Sequence, residues 1–184
     1  MASVRMAEMA ISADPAEELV ALGLGSCIGL AIVDRTAGIA GLAHVVLPES
    51  NQTAGPAGKF ADLAIPELIK RLLALGAVQR RFETALVGGA RMFELSGGLD
   101  IGARNEQAVR TALTLAKVAV HAAQTGGNQG RTVRVHVGEG IVSSRTAGTT
   151  PVVLLPGRPG ARAAEPPRPA AGRPVAAVVG GGRR

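Results

Sequence analysis

Residues 18–48 read ELVALGLGSCIGLAIVDRTAGIAGLAHVVLP, and this stretch decides how the chain folds. Two apolar runs, Glu18 to Ala21 and Ile28 to Asp34, have the length and β-branched content of strands. Gly38 to Leu47 reads as a third strand, with Gly41 as a weak point and Pro48 as its end. Asp34-Arg-Thr-Ala-Gly38 has the residues of a hairpin turn, so the second and third strands should pair antiparallel. Between the first two strands lies Leu22-Gly-Leu-Gly-Ser-Cys-Ile-Gly29, the densest glycine cluster of the front half. Its glycines permit steep turns and close approach of another molecule to the main chain.

Outward from this hairpin, Lys59 to Leu75 has helical spacing. Phe60, Leu63, Ala64, Leu68, Leu72 and Leu75 share a face, and Gly76 is the stop. Pro66 within it should kink the helix or postpone its start. Phe82 to Val87 reads as a strand running into Gly88-Gly89. Asn105 to Ala116 reads as a second helix, with Asn105 as N-cap and Ala108, Val109, Ala112, Leu113 and Ala116 on its apolar face. Val118 to Ala122 is expected to be a strand, Gly126 to Gly130 a loop, and Arg131 to Val137 a strand with Val133, Val135 and Val137 inward. Gly138-Glu-Gly140 turns the chain, and Ile141 to Arg145 returns. Many strands with two helices not in strict alternation indicate an α+β fold.

Residues 1–150 read as one folded unit. Beyond Thr150, prolines interleave with Gly, Ala and Arg, a composition with few groups to bury, so 151–184 is expected to be disordered or polyproline-like. Val152-Val-Leu-Leu155 keeps the pattern of a last docking strand. The tail carries six Arg and one Glu, whereas residues 1–150 carry 14 Lys and Arg against 13 Asp and Glu, so most of the net charge of +6 belongs to the tail. The body has no basic stripe with interleaved aromatics, which argues against a nucleic-acid partner. No run approaches the roughly 20 apolar residues of a membrane span. The beginning of the chain lacks the apolar core of a signal peptide, and one cysteine cannot form an internal disulfide; both suit a cytoplasmic protein without membrane insertion.

That cysteine, Cys27, stands in the glycine cluster, and His44 follows 17 residues later. A thiol on nearly bare backbone, with a histidine to accept its proton, is the constellation of a nucleophilic cysteine site. Backbone N–H groups around Gly25 and Ser26 are candidates for substrate binding or for stabilising an oxyanion. Each residue also has a plainer reading. Cys27 alone reads as a small buried apolar residue, His44 as a core histidine, and Ser26 as part of the turn. His121 and His136 read as structural or surface residues, Asp62 as a structural polar contact, and Arg104-Asn105 as helix-start chemistry. Three His and one Cys without paired spacing argue against zinc, and no cofactor is indicated.

Six motifs, in order, carry a resemblance: Leu22-Gly-Leu-Gly-Ser-Cys-Ile-Gly29, Ala43-His-Val-Val-Leu-Pro-Glu-Ser50, Gly58-Lys-Phe-Ala-Asp62, Gly88-Gly-Ala-Arg-Met-Phe93, Ile101-Gly-Ala-Arg-Asn105 and Gly126-Gly-Asn-Gln-Gly-Arg131. Through them the chain resembles the CheD family of chemoreceptor glutamine deamidases over residues 1 to about 150. The resemblance implies a layered α/β sandwich of mixed sheets with two main helices, related to the catalytic domains of deamidating toxins. It implies hydrolysis of chosen receptor glutamines to glutamate, with Cys27 and His44 as the catalytic pair. It also implies the cytoplasmic helices of chemoreceptors as substrate and a CheC-type phosphatase as a further partner. Three positions depart from the family pattern. Ala21 stands where a threonine usually completes the catalytic set, Gln124-Thr125 where an acidic residue is common, and Lys117 where a helix-ending glycine is usual. The first leaves open a binding module that docks on receptors or phosphatase while deamidating poorly. A toxin-like deamidase acting on foreign proteins is disfavoured by the lack of a secretion signal.

Overall fold

The computed structural model describes residues 1–51, 55–92 and 100–157. Among the described residues, ten strands and two α-helices follow one another as β1 (Ala2–Ser3), β2 (Met9–Ser12), β3 (Glu18–Leu24), β4 (Ile28–Asp34), β5 (Ile39–Val45), α1 (Ala61–Ala74), β6 (Glu83–Gly88), α2 (Ile101–Leu115), β7 (Ala122–Thr125), β8 (Arg131–His136), β9 (Ile141–Thr146) and β10 (Val152–Leu155). They form two five-stranded sheets, ordered β1-β3-β8-β9-β10 and β2-β5-β4-β6-β7. Both sheets are mixed: β1–β3 and β6–β7 are parallel pairs, and the remaining neighbours run antiparallel. This is the expected α+β layered sandwich.

The second sheet is the middle layer, which explains why every residue of β4 and β5 is buried. Side chains alternate across a strand. Ile28, Leu30, Ile32, Ala43, Val45 and Leu86 face the helices and pack with Ile65, Leu68, Leu72, Val109 and Leu113. Ala31, Val33, Ala40, Leu42, Ala85 and Val87 face the other sheet and meet Leu19, Ala21, Val133, Val135 and Val142. A strand buried on both faces loses the polar–apolar alternation of a surface strand and becomes one continuous apolar run. Small residues let the sheets approach closely. A side chain at Gly29 would begin 2.7 Å from Leu24 Cδ1 and 3.0 Å from Val133 Cγ1.

The hairpin turn between β4 and β5 is held by Asp34, which is 1% exposed. Its carboxylate accepts from the N–H groups of Thr36, Ala37 and Val78 and from the Arg81 guanidinium. Burial alone would raise its pKa, but Arg81 and the backbone donors outweigh it and hold the carboxyl below its ordinary value.

Several expectations need correction. α2 starts four residues before Asn105. Asp100 is its N-cap, accepting from Ala103 N at 3.0 Å. Asn105 lies inside the helix, on the buried stripe Gly102, Asn105, Val109 and Leu113. The buried face of α1 is Ala61, Ala64, Ile65, Leu68, Ile69 and Leu72, and it leaves Leu63 and Leu75 exposed. Pro66 sits within α1 on its exposed face, where water can satisfy the carbonyl that its missing N–H leaves free. Residues 118–121 form no strand; the pairing with β6 begins at Ala122. β1 and β2 were not foreseen, because two and four residues give no periodicity to read. Lys117 adopts φ 56 just after α2, so it performs the left-handed turn usually given to glycine. β10 docks on β9 as its pattern allowed. Of the tail expected to be disordered, 151–184, residues 151–157 are described and include β10, and 158–184 lie outside the described residues.

Candidate active site

β3 ends in a bulge, where its register with β8 shifts between Ala21 and Leu24. Gly23, at φ 67, makes the turn, and the chain passes Gly25 and Ser26 to Cys27 before entering β4. The loop is bound from its far side by the end of β6. Gly89 N donates to Cys27 O and Ala90 N to Gly25 O, both at 2.8 Å. A side chain at Gly88 would begin 2.2 Å from Cys27 O, and φ there is 114. Glycine at that position therefore lets β6 lie directly against the nucleophile candidate's carbonyl.

Cys27 is 9% exposed, at the rim of the inter-sheet core. Gly25 is buried, and a side chain there would meet Met92 first, Cγ at 2.8 Å and Sδ at 3.0 Å, so the Met92 side chain covers this bare backbone. Gly25 N donates to Gly23 O at 2.9 Å and is thereby engaged within the turn. Ser26 is half-buried. Leu22 and Met92, 58% and 45% exposed, leave large apolar side chains open to solvent on the segments that reach this rim.

His44 lies on β5 opposite Gly29. Cys27, two residues before Gly29, projects to the same face, one diagonal step away; Cα atoms so related are about 7–8 Å apart and their Cβ atoms less. The ring is 2% exposed. Its Nδ1 lies 3.4 Å from the carbonyl of Val4, whose own N–H donates to Val20 O at 2.7 Å beside β3. Nε2 is buried with no hydrogen-bond partner among the described residues, so the thiol and the imidazole are not directly bonded in this state. Ala21 is fully buried on β3 and offers no side-chain polar atom; the main-chain carbonyl of Val4 meets the ring instead. With Nδ1–H donating to that carbonyl, the lone pair is on Nε2.

Burial sets the protonation of both groups. It pushes the Cys27 thiol above its ordinary 9.0, with a hydrogen bond from the residue's own N–H acting against it. It lowers His44 below its ordinary 6.5, with the Val4 carbonyl and Glu8 opposing. The resting pair is therefore a neutral thiol and a neutral imidazole.

Asn105 was read as helix-start chemistry, and the structure gives it another place. It is fully buried, and its Nδ2 donates to Ser26 O and Val46 O, each at 2.9 Å. One amide thus ties the residue before Cys27 to the end of the strand carrying His44. The signal in the sequence was an asparagine at the i, i+4, i+8 spacing of Val109 and Leu113.

The remaining candidates lie elsewhere. His121 Nδ1 accepts from Thr84 N at 3.2 Å, and His136 Nε2 lies 3.3 Å from Glu18 on the outer face of the first sheet. Asp62 receives Ser50 N and Oγ. Gly126 and Gly127 bond to Gly88 and Arg91 and so back the β6 segment rather than touching Cys27. Among the described residues no helix is long and apolar enough to cross a membrane.

The family model for CheD chemotactic sensory transduction matches residues 46–146. The chain is similar to the probable chemoreceptor glutamine deamidase CheD of Clostridium kluyveri, at 42% identity over 150 residues, covering 79% of this chain and 92% of the relative. The protein of that name from Symbiobacterium thermophilum is 40% identical over 152 residues, with the same two coverages. The chemoreceptor glutamine deamidase CheD of Thermotoga maritima is 38% identical over 145 residues, covering 79% and 91%. A family match across more than half of the chain, together with relatives spanned over nine-tenths of their length, places this chain in the CheD family.

Proposed function

We propose that this chain is a cytoplasmic protein-glutamine deamidase that converts glutamine side chains on chemoreceptor helices to glutamate. One observation carries the chemistry: the His44 ring rests its Nδ1 on a main-chain carbonyl and keeps Nε2 bare, on the same sheet face as Cys27. That is the arrangement of a base waiting for a proton. Nε2 takes the thiol proton as sulfur attacks the amide carbon. The C–S bond forms, and the carbonyl electrons move to an oxyanion. The Ser26 and Cys27 N–H groups are the backbone donors we assign to it, and substrate would reach the backbone at Gly25 once the Met92 side chain moves aside. As the oxyanion collapses, the C–N bond breaks and His44 returns the proton, so that ammonia leaves. Water, deprotonated by His44, then cleaves the thioester to give glutamate and the free thiol. A rim position, rather than a deep pocket, suits a glutamine presented on a helix surface.

The replacement of the family threonine by Ala21 favours a second reading, a module that docks on receptors or on a CheC-type phosphatase and turns over slowly. Residues 1–150 would be the working domain in either case, with 151–184 as an appended tail. The experiment incubates the full chain and Cys27→Ala with receptor cytoplasmic fragments and reads Gln-to-Glu conversion by mass spectrometry. Conversion by the parent alone is expected. Binding without conversion, equal for both proteins, refutes the enzyme and leaves the module.

A further inference from the structure

We infer that Asn105 is a positioning residue that fixes the separation of Cys27 from His44, an assignment that rests on the deamidase reading for its consequence in catalysis. α2 first approaches the Cys27 loop's support at Gly102. A side chain there would begin 2.4 Å from Gly89 O and 2.8 Å from Ala90 O, so glycine lets the first turn of α2 press against the backbone that holds the Cys27 loop. One turn further along the same buried stripe, the Asn105 side chain enters the core. A fully buried amide among apolar neighbours is costly unless its donors are used. Both are: Nδ2 donates to Ser26 O and to Val46 O. Two donations from one nitrogen also fix which end of the amide is which, since the oxygen could make neither. Oδ1 has no partner among the described residues, so the cost of burying it is tolerated for what Nδ2 holds.

The two carbonyls lie at telling places. Ser26 O belongs to the peptide that continues into Cys27, and Val46 O lies two residues after His44, where the β4–β5 ladder has just ended at Ile28 and Val45. Beyond that last pair the two strands have no mutual backbone pairing to keep them together. Asn105 bridges the gap at the level where sulfur and imidazole must meet. Leucine at this position fills a similar volume but donates nothing, which frees the Cys27 loop relative to β5.

The test uses the full chain with Asn105→Leu and Asn105→Ser. On receptor fragments, Asn105→Leu is expected to lose about 100-fold in kcat, the scale of a 1 Å misplacement, with KM within about twofold of the parent. Asn105→Ser, with a single shorter donor, should fall between them, and it replaces the leucine variant if that one loses its cooperative melt. A kcat per folded molecule equal to the parent's in either variant overturns the assignment. A second readout needs no receptor: the ring-proton NMR shifts of His44 followed through the alkaline titration of Cys27. The parent should show an inflection from the ionising thiol, weakened or lost in Asn105→Leu. An unchanged inflection overturns the positioning role even if no glutamine is converted, and its absence in the parent removes the Cys27–His44 pair itself.

Discussion

Burial makes a specific claim about how this site rests, and pH is the perturbation that tests it. Many thiol enzymes hold a thiolate–imidazolium pair before substrate arrives. Here the thiol is pushed above 9.0 and the imidazole below 6.5, both chiefly by loss of water. A thiol at its ordinary value would be about 1% ionised at pH 7, and burial takes Cys27 lower still. Cys27 is the chain's single cysteine, so alkylation by iodoacetamide, read by intact mass from pH 5 to 10.5, reports it without ambiguity. The rate at pH 7 should lie at least about 100-fold below the alkaline limit, with the rise falling above pH 9. A rate at pH 7 within about threefold of that limit would show a resting ion pair and refute the reasoning. The same shifts govern stability. A histidine depressed in the folded state stabilises the fold above its unfolded value of 6.5 and withdraws that contribution as pH falls toward its folded value. A thiol raised in the folded state contributes below 9.0 and loses that contribution as pH rises beyond it. Replacing both residues should flatten the pH dependence of the melting temperature at the two margins.

Three further outcomes are expected. Asp34→Asn removes the charge that Arg81 and three backbone donors surround, at a cost of about 2–3 kcal/mol, less than for a fully enclosed pair because Arg81 stays 30% exposed. In thermal melts the parent should lose this margin as pH falls through the depressed Asp34 value, and a pH-independent difference between parent and variant would contradict it. Gly88→Ala drives a methyl group into Cys27 O at positive φ and should cost about 3 kcal/mol or more along with activity, whereas Gly25→Ala has the exposed Met92 side chain as its nearest neighbour, which can turn aside, and should fold normally. Equal melting temperatures for the two variants would mean that the Cys27 loop is not pinned as described. Ala21→Thr supplies a hydroxyl at this position and should change kcat less than about threefold, because the Val4 carbonyl already occupies Nδ1. A tenfold gain would show that this carbonyl orients the ring poorly.

The fold was legible wherever burial is two-sided or alternation is long. β4 was read to its exact ends because it lies between two packed layers and so is apolar throughout. The inward valines of β8 were visible by their period of two. Elements whose stability comes from elsewhere were not legible. β1 has two residues, held because β3 offers it an edge. The start of α2 was misplaced because asparagine is a good N-cap in isolation, and only tertiary contact shows that its amide is spent on two distant carbonyls.

The site divides along the same line. The residue types announced themselves: one thiol in a glycine cluster and one histidine in an apolar strand. Their relation could not, because it depends on groups that leave no mark in composition. The acceptor for His44 is a main-chain oxygen at Val4, and any residue there would supply the same atom. That is why alanine at position 21, where the resemblance implies threonine, says less about catalysis than it first suggests. A side-chain orienter must be a particular amino acid, while a carbonyl orienter needs only the chain in the right place. Here that place is set by Val4 N–H on Val20 O and by the Glu8 carbonyl, which takes His44 N at 2.9 Å, so the short N-terminal segment 1–8 becomes part of the candidate site. A sequence comparison would record position 21 as a missing catalytic residue. Physically, the imidazole has a neighbour that cannot be mutated away by changing a side chain, only by displacing the N-terminal segment that carries it.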